Sequence, residues 1–288
     1  MSEHDTFAPQ DAYPFKGAAV VTGAGSGIGR ALAHGLVRRG LDAALIDVNP
    51  ERLDAVAGEL ASNERKVTTH ALDVSDREAV AALPAEVARD HGQVSMLFNN
   101  AGVALGGRFD QVTEEDFDWL MEINFGAVVR MTRAFLPALK AAPQAQIVNI
   151  SSIFGVIAPA GQAAYSASKF AVRGFSEALR HETAGTALGV TVVHPGGIAT
   201  RIAEDARMTG ALAEGMTEAE IKAMKAASNK SLVMPPEKAA TQILDAAAAR
   251  KGRLLIGLDA RVAALIQQLA PVRYYGLLKR RLLAADSP

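Results

Sequence analysis

The sequence predicts an α/β protein: a doubly wound parallel sheet of about seven strands with helices on both faces. Short apolar runs alternate with longer segments of helical period along most of the chain. Most of the short runs are apolar on successive residues, as in strands covered on both faces. The chain has 288 residues, 49% hydrophobic and 21% charged, enough for one large domain with a sizeable core.

The elements follow in order. The runs at 18–22, 43–47, 67–72, 96–99, 146–150, 190–194 and 254–257 read as strands. Helical patterns lie between them at 27–39, 50–62, 76–91, 113–140, 162–184 and 236–249. Such alternation builds right-handed βαβ units, with ligands expected beyond the carboxyl ends of the strands. Residues 1–14 read as a flexible tail, 15–257 as the main domain, and 258–288 as a helical tail broken at Pro271. The polar stretch 199–232 is long for a plain connection and reads as a lid. Trp119 and the ten phenylalanines read as core.

Composition narrows the function. A net charge of −1 gives no reason to expect a nucleic-acid partner. With no cysteine, disulfides, thiolate zinc sites, iron–sulfur clusters and a cysteine nucleophile are excluded. The six histidines show no metal-ligand spacing. The polar N-terminus lacks signal-peptide character, and no apolar stretch is long enough to span a bilayer, so a cytoplasmic protein is expected.

The first strand runs into Thr22-Gly23-Ala24-Gly25-Ser26-Gly27-Ile28-Gly29, and a helix follows. Glycines allow close backbone approach, and a helix N-terminus offers free N–H groups to a pyrophosphate. The spacing is not the strict G-x-G-x-x-G fingerprint. Asp47 ends the second strand, 18 residues after Gly29, near where a carboxylate meets the ribose hydroxyls of a dinucleotide. Asp73, followed by Val74, either holds the adenine edge or caps the next helix.

Tyr165 and Lys169 stand four apart, on one helix face. A phenol ordinarily titrates near pH 10, and a neighbouring ammonium should lower that value. Such a phenol can exchange a proton with an alcohol or ketone. Ser152, 13 residues upstream at a strand end, can donate to the oxygen on which charge develops. Asn124 sits inside a helical pattern as a middling helix former, a local conflict that suits a functional site.

The glycine loop, Asn99-Asn100-Ala101-Gly102, Ser152, Tyr165-x-x-x-Lys169 and Pro195-Gly196 together resemble the short-chain dehydrogenase/reductase family over about residues 16–257. The resemblance implies a Rossmann-like sheet and a nicotinamide cofactor. It implies Tyr165 as acid/base, Lys169 as its partner and a ribose ligand, Ser152 as the residue orienting the substrate oxygen, and Asn124 as the lysine's link to solvent. It places Asn100, Ala101 and Gly102 beside the adenosine, and Pro195, Gly196, Ile198 and Thr200 beside the nicotinamide. A homo-tetramer or homo-dimer built on the helices at 113–140 and 162–184 is expected.

NAD is expected over NADP, because Asp47 would repel a 2′-phosphate; Arg30 and Arg52 are the nearest basic residues. The apolar stretch 153–158, with Val103 and Leu105, predicts a small apolar alcohol or ketone as substrate, and Arg201 and Arg207 could hold an anionic group on it. Competing readings are a non-catalytic nucleotide-binding regulator and an epimerase or dehydratase on the same fold. The basic tail is expected to pack on a neighbouring subunit and not on a membrane.

Overall fold

The computed structural model describes residues 13–208 and 232–278, with residues 217, 219 and 226 between them. Seven parallel strands form the main sheet: β1 (Ala18–Thr22), β2 (Asp42–Asp47), β3 (Val67–Ala71), β4 (Val94–Asn99), β6 (Ala145–Ile150), β7 (Leu188–Pro195) and β9 (Arg253–Ile256). Their order is β3-β2-β1-β4-β6-β7-β9. The order reverses between β1 and β4, and a ligand crevice is expected at that switch point. Strands β1, β4 and β6 are buried along their whole length, β1 as its apolar run requires and β4 and β6 with the polar side chains Ser95, Asn99, Gln146 and Asn149 buried among apolar ones. The edge strand β3 is half-exposed, which fits its polar Thr68, Thr69 and His70.

Helices α1 (Gly27–Arg38), α2 (Pro50–Leu60), α3 (Arg77–His91), α5 (Ala127–Ala141), α6 (Ala163–Glu182) and α7 (Pro236–Ala248) cover the sheet. One apolar layer joins Leu32, Leu36, Phe98, Ile243 and Leu244 under α1 and α7. The other joins Leu83, Leu97, Met131, Phe135 and Leu139 under α3 and α5. Local chemistry fixes the starts: Asn49 accepts from the Arg52 N–H ahead of Pro50, and Asp76 accepts from Glu78 and Ala79.

The expected boundaries hold to within about two residues, with instructive exceptions. The single helix expected over 113–140 is α4 (Glu114–Met121), a π-helical turn (Glu122–Gly126), then α5. A second, two-stranded parallel sheet pairs β5 (Leu105–Gly106) with β8 (Arg207–Met208), which no sequence pattern announced. Tyr13, inside the stretch expected to be a tail, hydrogen-bonds the Leu244 carbonyl at 3.0 Å. Phe15, Phe98 and Phe135 are core, but Phe109 is 72% exposed and Phe170 39%. Trp119 is only half-buried and carries the Arg207 guanidinium 5.0 Å above its ring. Helix α8 (Leu258–Leu269) begins the C-terminal stretch. Most of the expected lid, residues 209–231 apart from 217, 219 and 226, and residues 279–288 of the tail lie outside the described residues, as do residues 1–12.

Candidate active site

The carboxyl ends of the parallel strands lie along one edge of the sheet, and the glycine loop, Asp47, the Asn99–Gly102 turn, Ser152 and Pro195-Gly196 stand at the ends of β1, β2, β4, β6 and β7. Thr22 organises the first corner. Its hydroxyl bonds the Phe98 carbonyl at 3.2 Å and accepts the N–H groups of Asn100 and Ala101 at 3.0 Å each. The Asn100 amide donates back to the carbonyls of Thr22 and Gly23 at 2.9 and 3.1 Å. The Asn99–Gly102 turn, expected beside the adenosine, thus braces the glycine loop from its flank.

The loop is packed so closely that side chains are excluded. A Cβ on Gly25 would lie 2.7 Å from the Arg52 Cβ and 2.9 Å from an Asp47 oxygen, and one on Gly27 would lie 2.9 Å from the Thr200 methyl group. A Cβ on Gly29 would strike the Gly23 carbonyl. Ser26 stands extended before α1 without a side-chain cap, so its first-turn N–H groups have no such partner, while Ile28 anchors the turn in the core. Asp47 accepts from the Gly25 N–H at 2.9 Å and the Asn49 N–H at 3.0 Å, fixing its carboxylate on the loop floor. A close-packed glycine cradle, an uncapped helix N-terminus and a fixed carboxylate at the end of β2 fit a dinucleotide.

Asp73 is not the cap of α3, which is Asp76. It instead accepts from the N–H and hydroxyl of Ser75, both at 2.8 Å. The Val74 carbonyl is held by Arg130 at 2.7 Å, and Arg130 also pairs with Glu122 at the start of the π-turn.

That turn brings Asn124 inward to complete burial. Its amide donates to the Val103 carbonyl at 3.0 Å and the Ser168 hydroxyl at 3.2 Å, and its carbonyl accepts the Val103 N–H at 2.8 Å. One extra residue in a helical turn is often found at functional sites. Lys169, buried on α6, donates to the Ile150 carbonyl at 3.1 Å. A Cβ on Gly102 would fall 3.1 Å from the Asn124 carbonyl oxygen and 3.3 Å from the Lys169 ammonium, so only glycine leaves the space these groups share.

Ser152 lies just beyond β6 and accepts the Phe154 N–H at 3.1 Å. The Lys169 ammonium is 5.7 Å from the Tyr165 ring centre. The electrostatics differ from expectation. Burial pushes the Tyr165 phenol up to about 12, against the influence of Ser152 that lowers it. Burial also brings Lys169 down to about 8. Desolvation therefore governs the phenol, and the influence that lowers it comes from Ser152 and not from the expected ammonium.

The segment after β7 closes the site. Ile198 is buried and bridges to Met234, and Thr200 packs on Gly27. Here sequence reasoning missed three residues. Asp259 of α8 accepts the Gly197 N–H at 2.8 Å and crowds Gly196, which only a glycine tolerates. His194, next to Pro195, is fully buried with Nδ1 2.9 Å from the Ser152 carbonyl, and burial pushes it down to about 4. A histidine alone in an apolar strand was the available signal. The Tyr274 hydroxyl binds the Ala158 N–H at 2.9 Å, and no local pattern marks that contact.

The expected substrate wall is narrower than the sequence suggested. Val156 and Ile157 are buried in the interior, leaving Ile153 and Phe154 half-buried, with Phe154 edge-on to Tyr165 at 6.1 Å. Leu105 is buried against Leu120 and Ala164. Both lid arginines are in ion pairs: Arg201 with Glu204 and Asp205, and Arg207 with Asp116.

The profile of the family described as short chain dehydrogenase matches residues 17–210. A Mycobacterium tuberculosis protein provisionally named oxidoreductase SadH is 40% identical over 262 residues, covering 90% of this chain and 93% of its own. A short-chain dehydrogenase/reductase from Burkholderia phymatum, solved in complex with NAD, superimposes with a TM-score of 0.80 at 28% identity, covering 90% of this chain and 94% of its own. An alcohol dehydrogenase from Thermococcus sibiricus, complexed with 5-hydroxy-NADP, shares the fold with a TM-score of 0.70 at 24% identity, over 84% of this chain and 96% of its own. The chain belongs to the short-chain dehydrogenase/reductase family of oxidoreductases.

Proposed function

We propose that the protein moves hydride between NAD and an apolar secondary alcohol or ketone, with Tyr165 exchanging the proton. The reading is carried by one observation: Ser152, Tyr165 and Lys169 meet beside the glycine cradle, with Asn124 turned inward toward the lysine. The nicotinamide supplies or accepts the hydride. The chain's own residues handle the proton and the charge. A phenol near 12 is neutral at pH 7 and can give its proton to the oxygen of a ketone being reduced. Ser152 can donate to that same oxygen as charge builds on it. In the oxidative direction the phenol must first lose its proton, so alcohol oxidation should rise with pH while ketone reduction falls.

Asp47 supports NAD, since its fixed carboxylate can accept from both ribose hydroxyls and would repel a 2′-phosphate. Arg30, a nearby cation, is engaged by Glu59 through two 2.9 Å contacts. Phe154 and Val103 near Tyr165 support an apolar substrate. Assembly through the outer face of α6 is supported by the exposed Phe170, and sedimentation at micromolar concentration checks it.

The function is tested by screening secondary alcohols with NAD and NADP, and ketones with their reduced forms, following absorbance of the reduced nicotinamide. Turnover of apolar members, faster with NAD, is expected. Cofactor binding without turnover of any compound would favour a non-catalytic binder.

A further inference from the structure

Beside the glycine loop, the Asp47 carboxylate and the base of the Arg52 side chain stand together. Arg52 lies in the first turn of α2, with its N–H bonded to the Asn49 side chain at 2.8 Å. Its Cβ and the Asp47 carboxylate flank the same point above Gly25, at 2.7 and 2.9 Å from where a Cβ would stand. From that base an arginine can swing its guanidinium over the ribose side of Asp47 or away from it. Here it is engaged by the strap: Nη1 is 3.1 Å from an oxygen of Asp205, 153 positions along the chain.

Asp205 is itself held in place. Its N–H donates to the Arg201 carbonyl at 2.8 Å, and its second oxygen is 3.4 Å from the Arg201 guanidinium. Just beyond, Arg207 fastens the segment to the opposite wall. It pairs with Asp116 at 3.1 Å, lies over Trp119, and donates its N–H to the Ala104 carbonyl at 3.0 Å. Residues 200–208 therefore form a strap from the glycine loop, at Thr200, to the small second sheet. Asp205 is the point where that strap engages α2.

We infer that Asp205 is a specificity-positioning residue. It sequesters Arg52, a cation rooted beside Gly25 that could answer a 2′-phosphate, so preference for NAD rests on two carboxylates, one in the floor and one in the strap. The inference builds on the proposed NAD reading. Asp47 disfavours the phosphate directly, and Asp205 withholds the side chain that would favour it. Arginine recognises phosphate through charge-assisted, often paired hydrogen bonds, so freeing Arg52 should benefit NADPH and not NADH. Coupling is reciprocal: a bound 2′-phosphate would compete with Asp205 for Arg52 and loosen the strap.

The test is equilibrium binding, which needs no substrate. NADH and NADPH are titrated by nicotinamide fluorescence into the wild type, Asp205→Ala, and the double variant Asp205→Ala with Arg52→Gln. The single variant should tighten NADPH by about fivefold, with NADH unchanged within about twofold. The double variant should return NADPH affinity to the wild-type value or weaker. Hydrogen exchange over residues 200–208 should speed up on adding NADPH to the wild type and not on adding NADH. An unchanged NADPH-to-NADH ratio in Asp205→Ala overturns the inference. So does a gain that survives Arg52→Gln, since Arg201 would then be its source. A wild type that binds NADPH more tightly than NADH would count against the Asp47 reading, whereas the effect of Asp205 is still read from the variant-to-wild-type ratio.

Discussion

The floor and the roof of the site are built differently. The floor, formed by the ends of β1, β2, β4 and β6 together with α6, is braced by buried and backbone-directed contacts, such as Thr22 to Phe98, Asn100 to Gly23 and Lys169 to Ile150. The roof, formed by the strap at 200–208 and the stretch from α8 to residue 278, is held by a few side-chain contacts near the surface. Examples are Arg52 to Asp205, Asp259 to Gly197 and Tyr274 to Ala158. The roof also exposes Leu269 and Val272, at 76% and 91%. Exposed ion pairs contribute only about 0.2–1 kcal/mol each, whereas each atom of a close-packed floor is costly to displace. The floor is thus the stiff half, and the roof is the half that can move at low cost.

The largest effect should come from the floor's buried cation. Lys169→Met should cut turnover by about 10²–10⁴-fold, because the proton-exchanging pair is broken. Yet the variant should melt at the same temperature or higher at pH 7, since burial already disfavours the ammonium. Thermal unfolding beside initial rates checks both halves. A variant that is both inactive and strongly destabilised would make Lys169 a structural residue.

His194 gives the next effect. Its imidazole titrates near 4 when folded and near 6.5 when unfolded, because burial disfavours the charged ring. Between those values the unfolded chain binds a proton that the native state refuses. The stability it contributes is thus complete above pH 6.5 and is lost as pH falls toward 4, by about 3 kcal/mol. Urea midpoints at pH 4.5, 5.5 and 7.5 should fall steeply in the wild type and more gently in His194→Asn. Parallel curves would remove His194 from the account.

Gly25→Val sharpens the same contrast. The new side chain would meet Arg52 and Asp47, and overpacking costs about 1–3 kcal/mol, which should appear as about ten- to hundredfold weaker NADH binding. Unchanged NADH affinity would show that the floor is less rigid than described.

Tyr274→Phe, in the roof, should do least. It removes the hydroxyl from Ala158 and costs about 1 kcal/mol, read as a KM a few-fold higher with kcat nearly unchanged. A loss of kcat equal to that of a floor variant would erase the distinction between the two halves.

The sequence revealed the floor far better than the roof, for physical reasons. Parallel strands buried on both faces must be continuously apolar, so Ala18–Thr22 could be read directly. The glycine loop, Tyr165 and Lys169 are local motifs whose spacing survives in one dimension. The π-turn at Glu122–Gly126 left no trace, because one extra residue hardly disturbs the helical period over 113–140. Asp205 with Arg52, and Asp259 with Gly197, are long-range pairs, and nothing local in the sequence joins them. The phenol's shift was misjudged because a charge partner can be read from spacing, whereas burial cannot.

The central claim is that Tyr165 exchanges the proton in hydride transfer. It is tested most directly by measuring, for the wild type and Tyr165→Phe, both NADH affinity and the NADH-dependent rate on an apolar ketone that the wild type turns over. The account predicts equal NADH affinity and a rate lower by about 10²–10⁴-fold. A Tyr165→Phe enzyme that keeps half its rate would contradict it.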